Sequence, residues 1–519
     1  MFGRLLLAIP FVFSTIVLAG SVQRLDLQLP ASADANRDAV KDIFLRSYDA
    51  YRKYAFGHDD VRPVSKGYVD SRNGWGASIV DAMSTMHIMG LDDLFAEAVD
   101  HVRNTDFSVS KTGGTVSVFE TTIRYLGGLL SAYELNGKKE PILLEKAKQV
   151  ADKMAFAWQY QGRTIRVPFG YLNFATNRAT QSTSNIAEAG TLDLEWATLS
   201  KYTGNDTYRT LAEGSARAIA TNPAPLPGLA AQGIDPASAS SVGAHITWSG
   251  GSDSYFEYLI KYARLTNTDD HLFADTWQTA VDSSIRYLLR TSAVGGYSYL
   301  AERNDNGRIV ESSSHLACFH GGNWILGGKL LNNETIVSVG LALTDACWNT
   351  YASTETGIGP EGFAFVSKDS LSTLDAISDQ QKAFNTKHGY YITSSAYILR
   401  PEVLESNFYA WRATGNVTYL DRAAEAIKSF NKFLSVDSSG GFSGIWDVDD
   451  LSAGRDDHTE SFWFAEVLKY LSTSVRSAPF EECLWEWAGT RKVTFAFRSS
   501  LFDSPATRGQ PTPFVGKRL

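Results

Sequence analysis

The sequence predicts an all-α protein built from repeated helical hairpins, arranged as a solenoid or as a closed α/α barrel. Three observations carry this reading. Leu199 to Tyr208 resembles Tyr409 to Tyr419, both passing through a Thr-Gly-Asn turn, and looser copies occur at Ser131 to Gly137 and Lys261 to Asp270. Each copy joins an apolar run to a second run, such as Leu420 to Phe430, with apolar residues at helical spacing. The 519 residues exceed an ordinary single domain, yet no Pro/Ser linker divides them, and a repeat-built barrel reaches this size as one unit.

Taken in chain order, the first element is a leader. Arg4 supplies a positive start, Leu5 to Leu18 is apolar, and Val17-Leu18-Ala19 offers small residues for cleavage, so residues 1–20 read as a secretory signal. An uncleaved signal anchor is the alternative, and no other segment is apolar and long enough to span a bilayer. Residues 21–475 carry the hairpins. In each, Gly or Asn ends the first helix and the following residues start the second. The Gly- and Ser-rich stretches Ala224 to Gly251 and Ser438 to Gly444 read as long rim loops, the usual place for a site. Beyond Leu471 helical periodicity is lost, and residues 476–519 form a divergent, locally basic tail.

A net charge of −9 argues against nucleic acid and anionic membrane surfaces as partners. The abundant Trp and Tyr suit stacking on sugar faces, although aromatic residues also build cores. Of the three cysteines, Cys318 and Cys347 could form one disulfide in an oxidising compartment, leaving Cys483. Sequons at Asn205, Asn333 and Asn416 fit secretory traffic.

The chemistry is in the carboxylates. Glu120 and Arg124 lie one helical turn apart within the apolar run Val116 to Leu130, on one helix face. Taken alone the pair reads as a structural ion pair. The pattern repeats, however. Asp253 and Glu257 are also spaced i, i+4, and Glu402 and Glu405 follow Pro401, where a helix N-terminus favours an anion. Glu195, Glu361 and Glu460 sit in similar apolar, aromatic or turn settings. Gathered at one barrel mouth, such groups make an anionic pocket that holds a cation and separates carboxyl pKa values, as glycoside hydrolysis requires. No His-Glu-x-x-His helix, CxxC pair or phosphate-cradling loop appears, and the nine histidines are dispersed. His58 and His315 read equally as pocket donors or as structural residues.

At this point the residues resemble a known family. Phe119 to Arg124 with Leu126 to Tyr133 is similar to class I α-1,2-mannosidases, glycoside hydrolase family 47. So are Gly57 to Asp60, Val80 to Ala82, Asp253 to Leu259, His315 to Phe319, Arg400 to Glu402 and Glu460 to Phe462, across roughly residues 38 to 471 in the family's order. The resemblance implies an (α/α)7 barrel and inverting, exo-acting removal of terminal α-1,2-linked mannose from high-mannose N-glycans, in the secretory pathway, by a monomer. It implies Glu120 as general acid, Asp253 as a second acid or base, Glu402 as the base that activates water, and Glu361 as a further catalytic carboxylate. Arg124, Asp81, Glu195, Glu257, Arg400, Glu405, Glu460 and His315 are then sugar- or water-binding residues, and Cys318–Cys347 is the family disulfide. Gly251 looks like the open Golgi-type and secreted fungal variant, which implies trimming of Man9 towards Man5.

The resemblance also implies Ca2+, held in the family by a threonine in a C-terminal Asn-Thr-Glu-Ala-His-type motif. That motif is absent here, and Thr494 is not an equivalent. Calcium would have carboxylates and waters alone, so weaker affinity is expected. The runner-up is a lectin-like quality-control protein that binds mannose glycans with little turnover. A ligand-free repeat scaffold does not account for so many carboxylates in apolar settings.

Overall fold

The computed structural model describes residues 22–24, 26–369 and 377–475. The leader, Cys483, Thr494 and the tail from residue 476 lie outside the described residues. Among these residues, seven helices form an inner ring: Ala77–Ile88, 118–135, Asp193–Thr203, Asp253–Thr266, Phe319–Leu330, Glu402–Thr414 and 463–474. Seven more surround them: Ala33–Tyr54, Asp92–Asn104, Pro141–Met154, Thr207–Thr221, Leu272–Tyr287, Glu334–Ala352 and Thr418–Phe433.

Sequence pattern sorts the two rings. The inner Ala77–Ile88 helix is buried at eleven of its twelve residues, as expected for a helix enclosed on all sides. The outer Asp92–Asn104 helix buries only Phe95, Ala98, Val99 and Val102, an i, i+3, i+4, i+7 stripe. Closure, which the repeat left open, is made where the last inner helix packs against the first. There Thr85 donates to the Phe464 carbonyl at 2.7 Å, and the Trp463 indole N–H reaches Ser47 of the first outer helix at 3.0 Å. The expected (α/α)7 barrel is thus the observed one.

The inner-to-outer turns are short. Gly204 and Gly415, both at φ +71°, end their helices in the left-handed conformation that glycine adopts without strain. The outer-to-inner connections are long and gather at the other end, the N-termini of the inner helices. The rim carries short antiparallel ladders as well as loops, including Gly233–Asp235 with Ser240–Val242 and Ser312–Ser314 with Gly362–Ala364 and Tyr391–Ser394.

The last helix also exceeds expectation. It runs to Ser474, because the Thr473 and Ser474 hydroxyls bond back to the Lys469 and Tyr470 carbonyls at 2.8 Å, and Arg412 donates to the Thr473 carbonyl at 2.7 Å. Cys318 and Cys347 are disulfide-bonded, tying the entry of the Phe319–Leu330 helix to its outer partner.

That inner helix approaches its neighbours through glycines. A Cβ on Gly327 would lie 2.2 Å from the Trp277 ring. Replacing a helical glycine by alanine normally gains about 1 kcal/mol. Here three ring atoms lie within 2.7 Å of the new carbon, and overpacking of about 1–3 kcal/mol outweighs that gain. Gly327→Ala is therefore expected to lower the thermal midpoint; an unchanged or raised midpoint would show that the Trp277 contact is not limiting.

Candidate active site

The seven inner helices direct their N-termini at one mouth, and the mouth is where the acids gather. Ser117 caps the 118–135 helix by accepting the Glu120 amide N–H at 3.2 Å, Asp253 opens its helix, and Glu402 is first in its own after Pro401. Converging helix N-termini favour negative side chains. Two of these helices contain a π-turn within the site, Thr122–Leu126 and Trp463–Val467, a local widening frequent at functional positions.

The cavity at this mouth measures about 220 Å3 and is lined by Glu120, Arg124, Asp253, Arg400, Glu402 and Glu466, with Phe119, Ile123, Leu316 and Phe462 as apolar walls and Asn185, Glu188, Gly250 and Gly251 on one side. Its size falls below the roughly 300–1,000 Å3 of sites that enclose drug-sized ligands.

On one side, Glu120 Oε2 accepts from Arg124 Nε at 2.5 Å and from Arg72 Nε at 3.5 Å. The spacing-predicted ion pair exists, but it opens on the cavity: Glu120 keeps 35% of its side-chain exposure against 7% for Arg124. Arg124 also donates to Ser461 Oγ at 3.2 Å and lies 3.6 Å from Asp81. Arg72 binds Asp60 at 2.9 Å and Glu460 at 3.0 Å, and His458 lies 3.4 Å from Asp60 and 3.3 Å from Glu460. Burial opposes the charge on Arg72, but Asp60, Glu460 and Glu120 raise its pKa above the ordinary value. Burial likewise opposes protonation of His458, yet Asp60 and Glu460 push it up to about 10. Burial works against Glu460 ionising, and His458 and Arg72 hold it well below the usual carboxylate range.

On the facing side, Glu402 Oε2 lies 2.9 Å from His315 Nδ1, and His315 Nε2 lies 2.8 Å from the Tyr351 hydroxyl. Burial raises Tyr351 well above its ordinary value, so its hydroxyl keeps its proton and is available to either role toward Nε2. Arg400 donates to Glu361 at 2.6 Å.

One turn further along the inner helices, Glu257 accepts from Lys261 at 2.6 Å with both side chains buried. Burial raises Glu405 well above the ordinary carboxyl range; Glu257, Glu466 and Glu402 add to this and Lys261 opposes it. Crowded hard-oxygen acids of this kind fit a hard divalent cation such as Ca2+. Glu466 lines the same cavity.

The structure thus brings Glu120, Arg124, Asp253, Arg400 and Glu402 onto one cavity. It sets His315, Glu361, Asp81 and Glu460 immediately behind them, and Glu257 and Glu405 deeper. Glu195 is fully buried and accepts at 2.7 Å from the hydroxyl of Tyr258, next to Glu257 in the chain. His58 stacks on Tyr68 with centroids 3.4 Å apart and pairs with Asp70, away from the cavity lining. The sequence reading missed Arg72, Glu188 and Glu466. Glu466 had a signal, being an acid in the apolar run after Glu460; Arg72 sits in a plain Gly-containing turn and had none.

The profile of glycosyl hydrolase family 47 matches residues 43–472. The chain belongs to that family. As a family 47 member it is 43% identical over 463 residues to a mannosyl-oligosaccharide α-1,2-mannosidase 1B of Aspergillus phoenicis, covering 85% of this chain and 87% of the relative. A namesake in Emericella nidulans is 40% identical over 454 residues, covering 84% and 87%. The α-1,2-mannosidase of Trichoderma reesei superposes with a TM-score of 0.82 at 35% identity, covering 86% of this chain and 94% of that one. Among the described residues of this family 47 chain, no helix is long and apolar enough to cross a membrane.

Two outcomes follow from the charge network. Arg72→Met removes one of the two cations that Asp60 and Glu460 share and leaves them to His458 alone, so a loss towards the lower end of about 3–5 kcal/mol is expected in urea unfolding; a loss within error of zero would show that Arg72 is not structural glue. His458 binds its proton more tightly folded than unfolded, so its stabilisation is complete below pH 6.5 and lost as pH rises through about 10. The stability gap between wild type and His458→Gln should shrink across that window, and a gap that widens with pH would contradict the assignment.

Proposed function

We propose that this family 47 chain hydrolyses terminal α-1,2-linked mannose from high-mannose N-glycans, with inversion, in the lumen of the secretory pathway. The observation that carries the reading is a cavity of about 220 Å3 with Glu120 and Glu402 on separate inner helices, each oriented by its own dedicated partners. A cavity this small suits one terminal ring, hence exo action. Phe462 offers it an apolar face.

In the proposed reaction, Glu402 takes a proton from the attacking water while Glu120 delivers one towards the departing oxygen. His315, itself bonded to Tyr351, holds Glu402 through Oε2. Arg124 and Arg72 fix Glu120 through Oε2. Asp253 is the second acid–base candidate beside the same cavity. Arg400 and Glu361 hold one another at the rim, and Glu361 serves as the further carboxylate of the set. Ca2+, when bound, would supply positive charge near the sugar hydroxyls. The trimming range is proposed as Man9 towards Man5. At Gly251, φ is +87° and a Cβ would meet Gln232 at 2.8 Å, so the fold disfavours a side chain at this position of the wall. Binding without turnover draws on no observation that the hydrolase reading leaves unused.

The test is incubation of the secreted protein with Man9GlcNAc2, sizing the products with and without a chelator. Mannose release is expected, falling when calcium is removed; no release in calcium-replete buffer would sink the proposal. Glu402→Gln should lower kcat by about 10²–10⁴-fold, the usual share of general acid–base catalysis, with the fold intact by circular dichroism.

A further inference from the structure

Three asparagines occupy one kind of position in this barrel. Asn205, Asn333 and Asn416 each sit in the turn from an inner to an outer helix, after Asp193–Thr203, Phe319–Leu330 and Glu402–Thr414 respectively. Those turns lie at the C-terminal ends of the inner helices, whereas the cavity is built from N-terminal ends. The Glu402–Thr414 helix alone has 13 residues, and at about 1.5 Å rise per residue it separates Asn416 from the mouth by roughly 20 Å.

Each asparagine uses its carboxamide in the same way. Asn205 Oδ1 accepts the Thr207 amide N–H at 3.1 Å, Asn416 Oδ1 accepts that of Thr418 at 3.1 Å, and Asn333 Oδ1 caps its helix by accepting from Ile336 at 3.2 Å. The turn therefore engages the carbonyl oxygen. The amide nitrogen is the atom that carries an N-linked sugar; at Asn205 it also meets the Tyr208 hydroxyl, a bond for which one N–H remains after glycosylation. Asn205 and Asn416 are exposed, Asn333 is half-buried, and the sequon threonines Thr207, Thr335 and Thr418 are all exposed. Capping and glycosylation use different atoms, so one residue serves both.

We propose that the face opposite the cavity carries N-glycans at Asn205, Asn333 and Asn416, and that these glycans lie out of reach of the chain's own pocket. The donor is a polyprenyl-pyrophosphate-linked oligosaccharide. The Asn Nδ2 forms a bond to the anomeric carbon, the bond from that carbon to the pyrophosphate oxygen breaks, and the amide loses one proton. The second half of the proposal rests on the reading of the site as a mannose-glycan pocket. Its consequence is that a chain with this activity trims the glycans of other molecules, including other copies, but not its own.

Two measurements on the full chain, secreted from a host whose own α-1,2-mannosidases are inhibited, test it. The first is intact mass of wild type and of Thr207→Ala, Thr335→Ala and Thr418→Ala, substitutions that abolish each sequon while keeping the capping asparagine. Each variant should lose one glycan mass; no mass change in any of them would overturn the proposal whatever the activity. The second is titration of Man9GlcNAc2 into the Glu402→Gln copy before and after enzymatic removal of its own glycans. Equal Kd values within twofold are expected. Binding at least tenfold weaker in the glycosylated copy would show that its own glycans enter the pocket. Failure to cleave free Man9GlcNAc2 would remove the hydrolase reading and leave the mass result standing.

Discussion

Carboxylates drawn to converging helix N-termini repel one another, and the barrel mouth stands only because cations are built among them. Arg72, Arg124, Lys261 and His458 each touch at least one acid, and Arg72 touches three, Asp60, Glu120 and Glu460. Buried ions of one sign are costly unless paired and hydrogen-bonded. The helix ends supply part of that compensation through their dipoles and the guanidinium groups supply the rest. The side chains that would do acid–base work are the same ones that the network must hold in place.

The two sides of the cavity are held by different chemistry. Glu120 is oriented by guanidinium groups, which are permanently charged, and keeps contact with solvent. Glu402 is oriented by the buried His315, which Tyr351 holds in turn, near the point where the Cys318–Cys347 bond ties two helices. The polarity of the barrel matters as much. Long connections and the cavity occupy one end, and short capped turns with the sequons occupy the other.

Legibility varied with the range of the interaction. The Glu120–Arg124 contact was readable because both residues share one helix turn, and Glu402 at a helix start was readable from Pro401. The sequence pattern also yielded the helical hairpins and the rim loops, whose signals are local periodicity and Gly-rich composition. Arg72 was unreadable, since its partners Glu120 and Glu460 lie 48 and 388 residues away. The π-turns were equally hidden, because one extra residue in a helical turn leaves the apolar pattern almost unchanged. Glu195 was legible as a buried acid but not as the partner of Tyr258, a contact between two inner helices.

By itself, then, the sequence determined which segments are helices, which faces are apolar, where the turns fall and which acids sit in apolar surroundings, because each depends on residues a few positions apart. Only the tertiary structure decided that the ring closes on itself. It also decided which acids share a cavity, which cation separates them and which end of the barrel each feature faces. Those outcomes depend on contacts between helices that are distant in the chain, and burial and charge balance at such contacts are set by packing that no local pattern contains.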